Sequence, residues 1–218
     1  GHGGLSGVNG KLLKGALKAA AMFHKMADAC DVPKEAPPAT DWARLLSKAR
    51  DVSGDMPRDA QHWNTAIKHV QKVLKKLELI WNTRPCTTWC HGDLHPGNVM
   101  NRIATPPIGS DEQASPGACV LIDLGMVHRG HWVEDAVYLE RLFWGHNDKL
   151  GSVKPVSVLA KARRELGLDN DGDHALLANV RRLLTAASVP VFLAREGDPQ
   201  YVEYALATVD RLLPVVSK

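Results

Sequence analysis

Eight consecutive residues, His91-Gly92-Asp93-Leu94-His95-Pro96-Gly97-Asn98, hold a carboxylate and a carboxamide in a stretch that Pro96 and two glycines keep from being helical. A second carboxylate follows 25 residues beyond Asn98, in Asp123-Leu124-Gly125, at the end of the apolar run Cys119-Val120-Leu121-Ile122. A carboxylate at the end of such a run is costly to bury unless a metal or hydrogen bonds compensate it. Two carboxylates and an amide from two neighbouring loops are what phosphoryl transfer requires. One group positions the nucleophile, and two hold Mg²⁺ against the phosphates. Turn chemistry explains Asp93 or a glycine taken singly. It does not call for His, Asp, His and Asn in that order together with a strand-end aspartate.

The elements that must position these loops are mostly helices. Leu12, Ala16, Ala19, Ala20, Phe23 and Ala27 recur at helical spacing with Lys11, Lys18 and Lys25 opposite, which predicts an amphipathic helix over 11–29. Pro33, Pro37 and Pro38 end it, and Thr40 or Asp41 can cap a short helix carrying Trp42, Leu45 and Leu46. Pro57, read as a first helical residue, opens the strongest periodic signal: Ala60, Trp63, Ile67, Val70, Leu74, Leu77 and Trp81 fall on a single stripe. Short β-rich runs at 86–90 and 119–123, with a third near 98–101, predict a small hairpin or sheet. Between them, 103–118 is rich in Pro, Gly and Ser and reads as an exposed, mobile insertion. Helical patterns return at 132–146, 155–166, 173–188 and 199–213. Residues 1–10, with five glycines, read as a flexible lead or a cloning remnant. The expected fold is mainly α with a small β hairpin, and no change of composition marks a domain boundary.

The string H-G-D-x-H-x-x-N followed by I-D-x-G resembles the catalytic loop and metal-binding segment of the aminoglycoside phosphotransferase and choline kinase-like family, relatives of the protein kinases. The resemblance implies a protein-kinase-like C-terminal, or large, lobe over residues 11–218. It implies that Asp93 is the catalytic base or the group that orients an acceptor hydroxyl, and that Asn98 and Asp123 bind Mg²⁺ and, through it, ATP. His91 would brace the loop, and His95 would lie near the reacting phosphate or the loop backbone. Asp135 would tie the loop down, with Gly92 and Gly125 in supporting places. The implied partners are ATP and a small molecule bearing a hydroxyl. Leu124 stands where protein kinases have Phe, which this family tolerates. Family members also carry a nucleotide-clamping small lobe ahead of the first large-lobe helix, whereas only ten residues precede that helix here. The chain alone is therefore expected to bind ATP poorly and turn over little. The alternative from another class is a catalytically silent kinase-like scaffold or binding module.

Composition narrows the remaining classes. With 27 basic against 24 acidic residues among 218, the formal charge is +3 and scattered, which leaves no footprint for nucleic acid or an anionic membrane. Lys68, Lys72, Lys75 and Lys76 read as a solvated helix face, since no aromatic residues interleave with them. No apolar stretch approaches the roughly 20 residues of a membrane span, and no signal-peptide pattern opens the chain. Four cysteines are too few for a disulfide scaffold, and Cys30 and Cys119 read as buried small hydrophobes. A cytoplasmic protein is expected. Cys86, Cys90, His91 and His95 have a spacing that suits tetrahedral Zn²⁺, but strand alternation sends the two cysteines to one face and His91 to the other. Asp169-Asn170-Asp171-Gly172-Asp173 has its glycine misplaced for a calcium loop and reads as a turn ending in Asp173 as a helix cap. Val127 to Trp132, which holds His128, Arg129 and His131, reads as a surface turn or part of an acceptor pocket.

Overall fold

The computed structural model describes residues 9–29, 40–104, 115–193 and 197–217. The lead as far as residue 8, Cys30, the prolines at 33, 37 and 38 and the centre of the expected insertion lie outside the described residues. In chain order the structure holds α1 (Gly10–Asp28), α2 (Trp42–Val52), α3 (Ala60–Asn82), β1 (Thr88–Cys90), β2 (Val99–Ala104), β3 (Ser115–Leu121), β4 (His128–Gly130), α4 (Val133–Arg141), α5 (Asn147–Leu150), α6 (Pro155–Glu165), α7 (His174–Ala187), α8 (Val189–Leu193) and α9 (Pro199–Val216). The fold is mainly helical with small antiparallel sheets. The chain divides into two compact units, one of 1–36, 87–142 and 149–170, the other of 37–86, 143–148 and 171–218. Each unit is assembled from three separate segments, which is why no local change of composition marks a boundary. No helix among the described residues is long and apolar enough to cross a membrane.

In the first unit α1 packs on α6, β1 and β3, and α4 packs on α6. The buried face of α1 is Leu13, Ala16, Leu17, Ala19, Ala20, Ala21 and His24: Ala16, Ala19 and Ala20 of the expected stripe are buried, while Leu12, Phe23 and Ala27 are only half-buried. His24, a polar residue, lies fully inside with them. Asn9 caps the helix by accepting from the backbone N–H groups of Lys11 and Leu12, both at 3.0 Å. β1 pairs antiparallel with β4, placing Thr88 opposite Gly130 and Cys90 opposite His128. β2 pairs antiparallel with β3, from Val99 opposite Leu121 to Ala104 opposite Ser115, with an irregularity between Asn101 and Ile103. The strands thus reach into both ends of the 103–118 segment, which the sequence presents as an insertion. Pairing satisfies backbone groups whatever the side chains, and Pro116 sits on a strand that this ladder makes an edge.

In the second unit α3 buries Trp63, Ala66, Ile67, Val70, Leu74, Leu77 and Trp81 against α2, α7 and α9. Each such large side chain contributes about 1.5–3 kcal/mol when fully buried. Asp41 caps α2 by accepting from the Arg44 N–H at 2.9 Å. Pro57 does not open α3; the chain first turns through Asp59, left-handed at φ 56°, and the helix starts at Ala60. Asp173 stands at the N-cap of α7, but its side chain makes no capping bond.

Candidate functional site

The segment after β1 leaves the sheet through Gly92, whose φ of 80° is left-handed. A β-carbon there would come within 2.2 Å of the Met126 carbonyl oxygen, so glycine is required twice over. The start of the loop is held by one buried carboxylate. Asp135, in the first turn of α4, accepts from the backbone N–H groups of His91 at 2.8 Å and Gly92 at 2.9 Å. It accepts a third bond from His24 Nε2 at 3.0 Å.

His24 is in turn set by Arg163 of α6, which donates to its Nδ1 at 3.1 Å. With Nδ1 accepting, the ring proton lies on Nε2 and points at Asp135. Burial holds the His24 pKa below its ordinary value, partly offset by Asp135, so the ring is neutral at neutral pH. The guanidinium of Arg163 is used on every side, by Asn170 Oδ1 at 3.2 Å and the Asp169 carbonyl at 2.6 Å, and it lies over the Trp132 ring. A chain of buried polar groups therefore runs from α6 through α1 and α4 to the loop backbone. The Asp169–Asp173 segment supplies part of it, with Asn170 also donating to the Ala160 carbonyl at 2.7 Å, rather than a calcium loop.

His91 is fully buried with both ring nitrogens bonded: Nε2 donates to the Ile122 carbonyl at 3.0 Å, and Nδ1 accepts from the Asp93 N–H at 3.3 Å. Ile122 also donates its N–H to the Asn98 carbonyl at 3.0 Å. The residue before Asp123 is thereby tied to both ends of the loop. Asp123 itself is exposed, two residues beyond β3 and left-handed at φ 60°, and opens a short turn at Leu124–Met126. The left-handed turn carries the side chain out to solvent, so the cost of burying a carboxylate at the end of the apolar run does not arise. Its carboxylate has no hydrogen-bond or ion-pair partner among the described residues, and none links it directly to Asp93 or Asn98. A methyl group at Gly125 would meet only Asp123 Oδ1, at an ordinary 3.5 Å.

Asp93 lies in the open part of the loop, its side chain 29% exposed. The Tyr138 hydroxyl donates to its Oδ1, and Asn98 Nδ2 donates both to its Oδ2 at 3.1 Å and to its carbonyl at 3.0 Å. His95 Nε2 stands 3.5 Å from Oδ2, while its Nδ1 accepts from the Gly97 N–H at 3.0 Å. The Tyr138 bond above all, aided by His95 and Asn98 and opposed by partial burial, holds the Asp93 carboxyl below its usual pKa. Burial and that same bond raise the pKa of Tyr138. Because Asn98 spends its amide hydrogens on Asp93, its Oδ1 is left as an acceptor, and Asp123 presents an exposed carboxylate; each is an oxygen ligand of the type Mg²⁺ takes.

The zinc spacing does not form this way. Both nitrogens of His91 and of His95 are committed as described, so neither offers a lone pair beside Cys86 or Cys90. Cys119 is only half-buried, with its thiol 3.0 Å from Asn101 Oδ1. The segment after Val127 is no surface turn: it forms β4, and His131 and Trp132 are buried. Two site residues escape a reading of the sequence. Tyr138 lies three positions after Asp135, one helical turn along the same face of α4, and that spacing is a usable signal. His24 carries no signal beyond being a polar residue at a core position of α1.

A family model described as a phosphotransferase enzyme family matches residues 5–153, a span that contains the whole loop, Asp123, Asp135 and Tyr138. Among curated proteins no match is found. Since the matched span covers most of the sequence and every residue of the loop and its supports except Arg163 and its neighbours, the chain belongs to the phosphotransferase enzyme family.

Proposed function

We propose that this chain is the kinase-like large lobe of a phosphotransferase that moves the γ-phosphoryl group of ATP to a hydroxyl of a small molecule. The observation that carries the reading is the Asp93 carboxylate: partly open, ionised, and fixed on both oxygens by Tyr138, Asn98 and His95. A carboxyl held below its usual pKa is a weak base. Its task is then to accept a hydrogen bond from the acceptor hydroxyl and aim that oxygen, with the proton leaving late in a loose transition state. The fixed partners mean that Asp93 needs no reorganisation when the hydroxyl arrives. Asn98 and Asp123 would hold Mg²⁺, which when bound neutralises charge on the phosphates. His91 keeps these two in register through Ile122, and Asp135 holds the loop backbone.

Calorimetry with Mg²⁺·ATP and a coupled ADP-release assay test this together. Weak binding that requires Mg²⁺ and disappears in Asp123→Asn supports the reading, with little turnover by the chain on its own. Any turnover should fall about 10²–10⁴-fold in Asp93→Asn. Nucleotide binding indifferent to Mg²⁺ and to Asp123 would favour a silent scaffold, and robust turnover by the chain alone would contradict the expected need for a phosphate clamp.

A further inference from the structure

At the start of the loop, three potential metal ligands from three elements converge. Cys90 of β1 and His128 of β4 are direct partners across the antiparallel ladder, and Glu134 stands in the first turn of α4. The Cys90 Sγ, a His128 ring nitrogen and a Glu134 carboxylate oxygen all lie within 4.8 Å of one another. His128 Nε2 and Glu134 Oε2 are 3.6 Å apart. Ligand atoms around a tetrahedral zinc, with bonds of about 2.0–2.3 Å, are separated by about 3.5 Å, so small side-chain shifts would close the set.

The surroundings are those of a ligand set. His128 Nδ1 donates to the Met126 carbonyl at 2.9 Å, which fixes the ring and leaves Nε2 as the inward atom. Glu134 Oε1 accepts from the His131 N–H at 3.0 Å, so the carboxylate is oriented while Oε2 faces His128. Gly130 leaves the room: a β-carbon there would stand 2.7 Å from Glu134 Oε1 and 3.1 Å from Cys90 Sγ. Cys90 is fully buried, while His128 and Glu134 are 18% and 10% exposed, which gives a path for entry on one side.

We propose that Cys90, His128 and Glu134 bind a borderline-soft divalent cation, zinc by the chemistry of a thiolate, an imidazole and a carboxylate, with water in the fourth position. Binding expels the Cys90 thiol proton and the proton that His128 Nε2 carries in its ion pair with Glu134, both to solvent. Cys90 and Glu134 immediately precede His91 and Asp135, so the ion would clamp β1, β4 and α4 at the start of the loop. This site is independent of the hard-oxygen pair at Asn98 and Asp123.

Cobalt(II) added to the full chain tests it. One equivalent should give a thiolate-to-cobalt charge-transfer band in the near ultraviolet, displaced by Zn²⁺, absent in Cys90→Ser and retained in Cys119→Ser. Because Cys90 is buried, His128→Gln provides a second arm at a position nearer solvent, and its affinity should fall at least about tenfold. Circular dichroism checks that both variants fold. Asp123→Asn should leave the band unchanged, which separates this site from the phosphotransferase reading. No charge-transfer band, a band that survives Cys90→Ser, or unaltered affinity in folded His128→Gln overturns the proposal and leaves His128 and Glu134 as an ordinary ion pair.

Discussion

The two units differ in what they bury. Among the described residues, the unit that carries the loop holds His24, Thr88, His91, Asn98, His131, Asp135, Arg163 and Asn170 inside, whereas the other buries only Ser53, Ser188 and Thr208 as polar side chains. The second unit is a packing problem solved by stripes on α3, α7 and α9, and its buried hydroxyls Ser53 and Ser188 bond the carbonyls of Arg50 and Thr185 in the preceding turn. The first spends part of its interior on ionisable groups that are stable only as a completed set. Replacing such a set by apolar groups of the same volume is often neutral or stabilising. What the polar chain does, and an apolar one cannot, is fix the backbone N–H groups of His91 and Gly92 in direction.

That contrast can be broken at either end. Asp135→Ala should have the largest effect, about 3–5 kcal/mol in chemical denaturation, since it strands two loop N–H groups and His24 at once; a loss below about 1 kcal/mol would remove Asp135 from the centre of the network. Leu77→Ala in α3 should cost about 3 kcal/mol by leaving a cavity, with no change in the Asp93 titration. The third effect depends on pH. His24 is neutral when folded, with a pKa lowered from 6.5 by burial, so the unfolded chain takes up its proton first as pH falls. Its contribution is present above pH 6.5 and lost below it, at up to about 1.4 kcal/mol per pH unit. His24→Gln should flatten the stability profile between neutrality and mild acid relative to the native chain. The smallest change is Tyr138→Phe, about 1 kcal/mol in stability. It should move the Asp93 carboxyl up toward the ordinary range in a carbon-detected titration, and an unmoved titration would mean that Tyr138 does not set it.

These same features divide what can be read along the chain from what cannot. The stripe of α3 is legible because seven large or small apolar groups keep one period over six turns. The loop is legible because His, Asp, His and Asn have no common structural excuse for standing together. The face of α1 is only half legible, through Ala16, Ala19 and Ala20, because a histidine at a core position looks like a break in the stripe, although here it is the link between Arg163 and Asp135. Asp123 is found as a residue, but its exposure depends on a left-handed backbone that an aspartate only sometimes adopts. The ends of the 103–118 segment pair as strands because the partner ladder, and not their own composition, decides. Tyr138 needs the third dimension: only once Asp135 faces the loop does the position one turn later face Asp93.

The proposed phosphoryl transfer requires Asn98 and Asp123 to share one hard cation beside Asp93. Amide NMR of the chain titrated with Mn²⁺, a paramagnetic substitute for Mg²⁺ that prefers oxygen ligands, reads this directly. Broadening should start at Asn98, Leu124 and Gly125, spread to Asp93, and vanish in Asp123→Asn. Broadening that starts elsewhere, or that persists unchanged in that variant, contradicts the account.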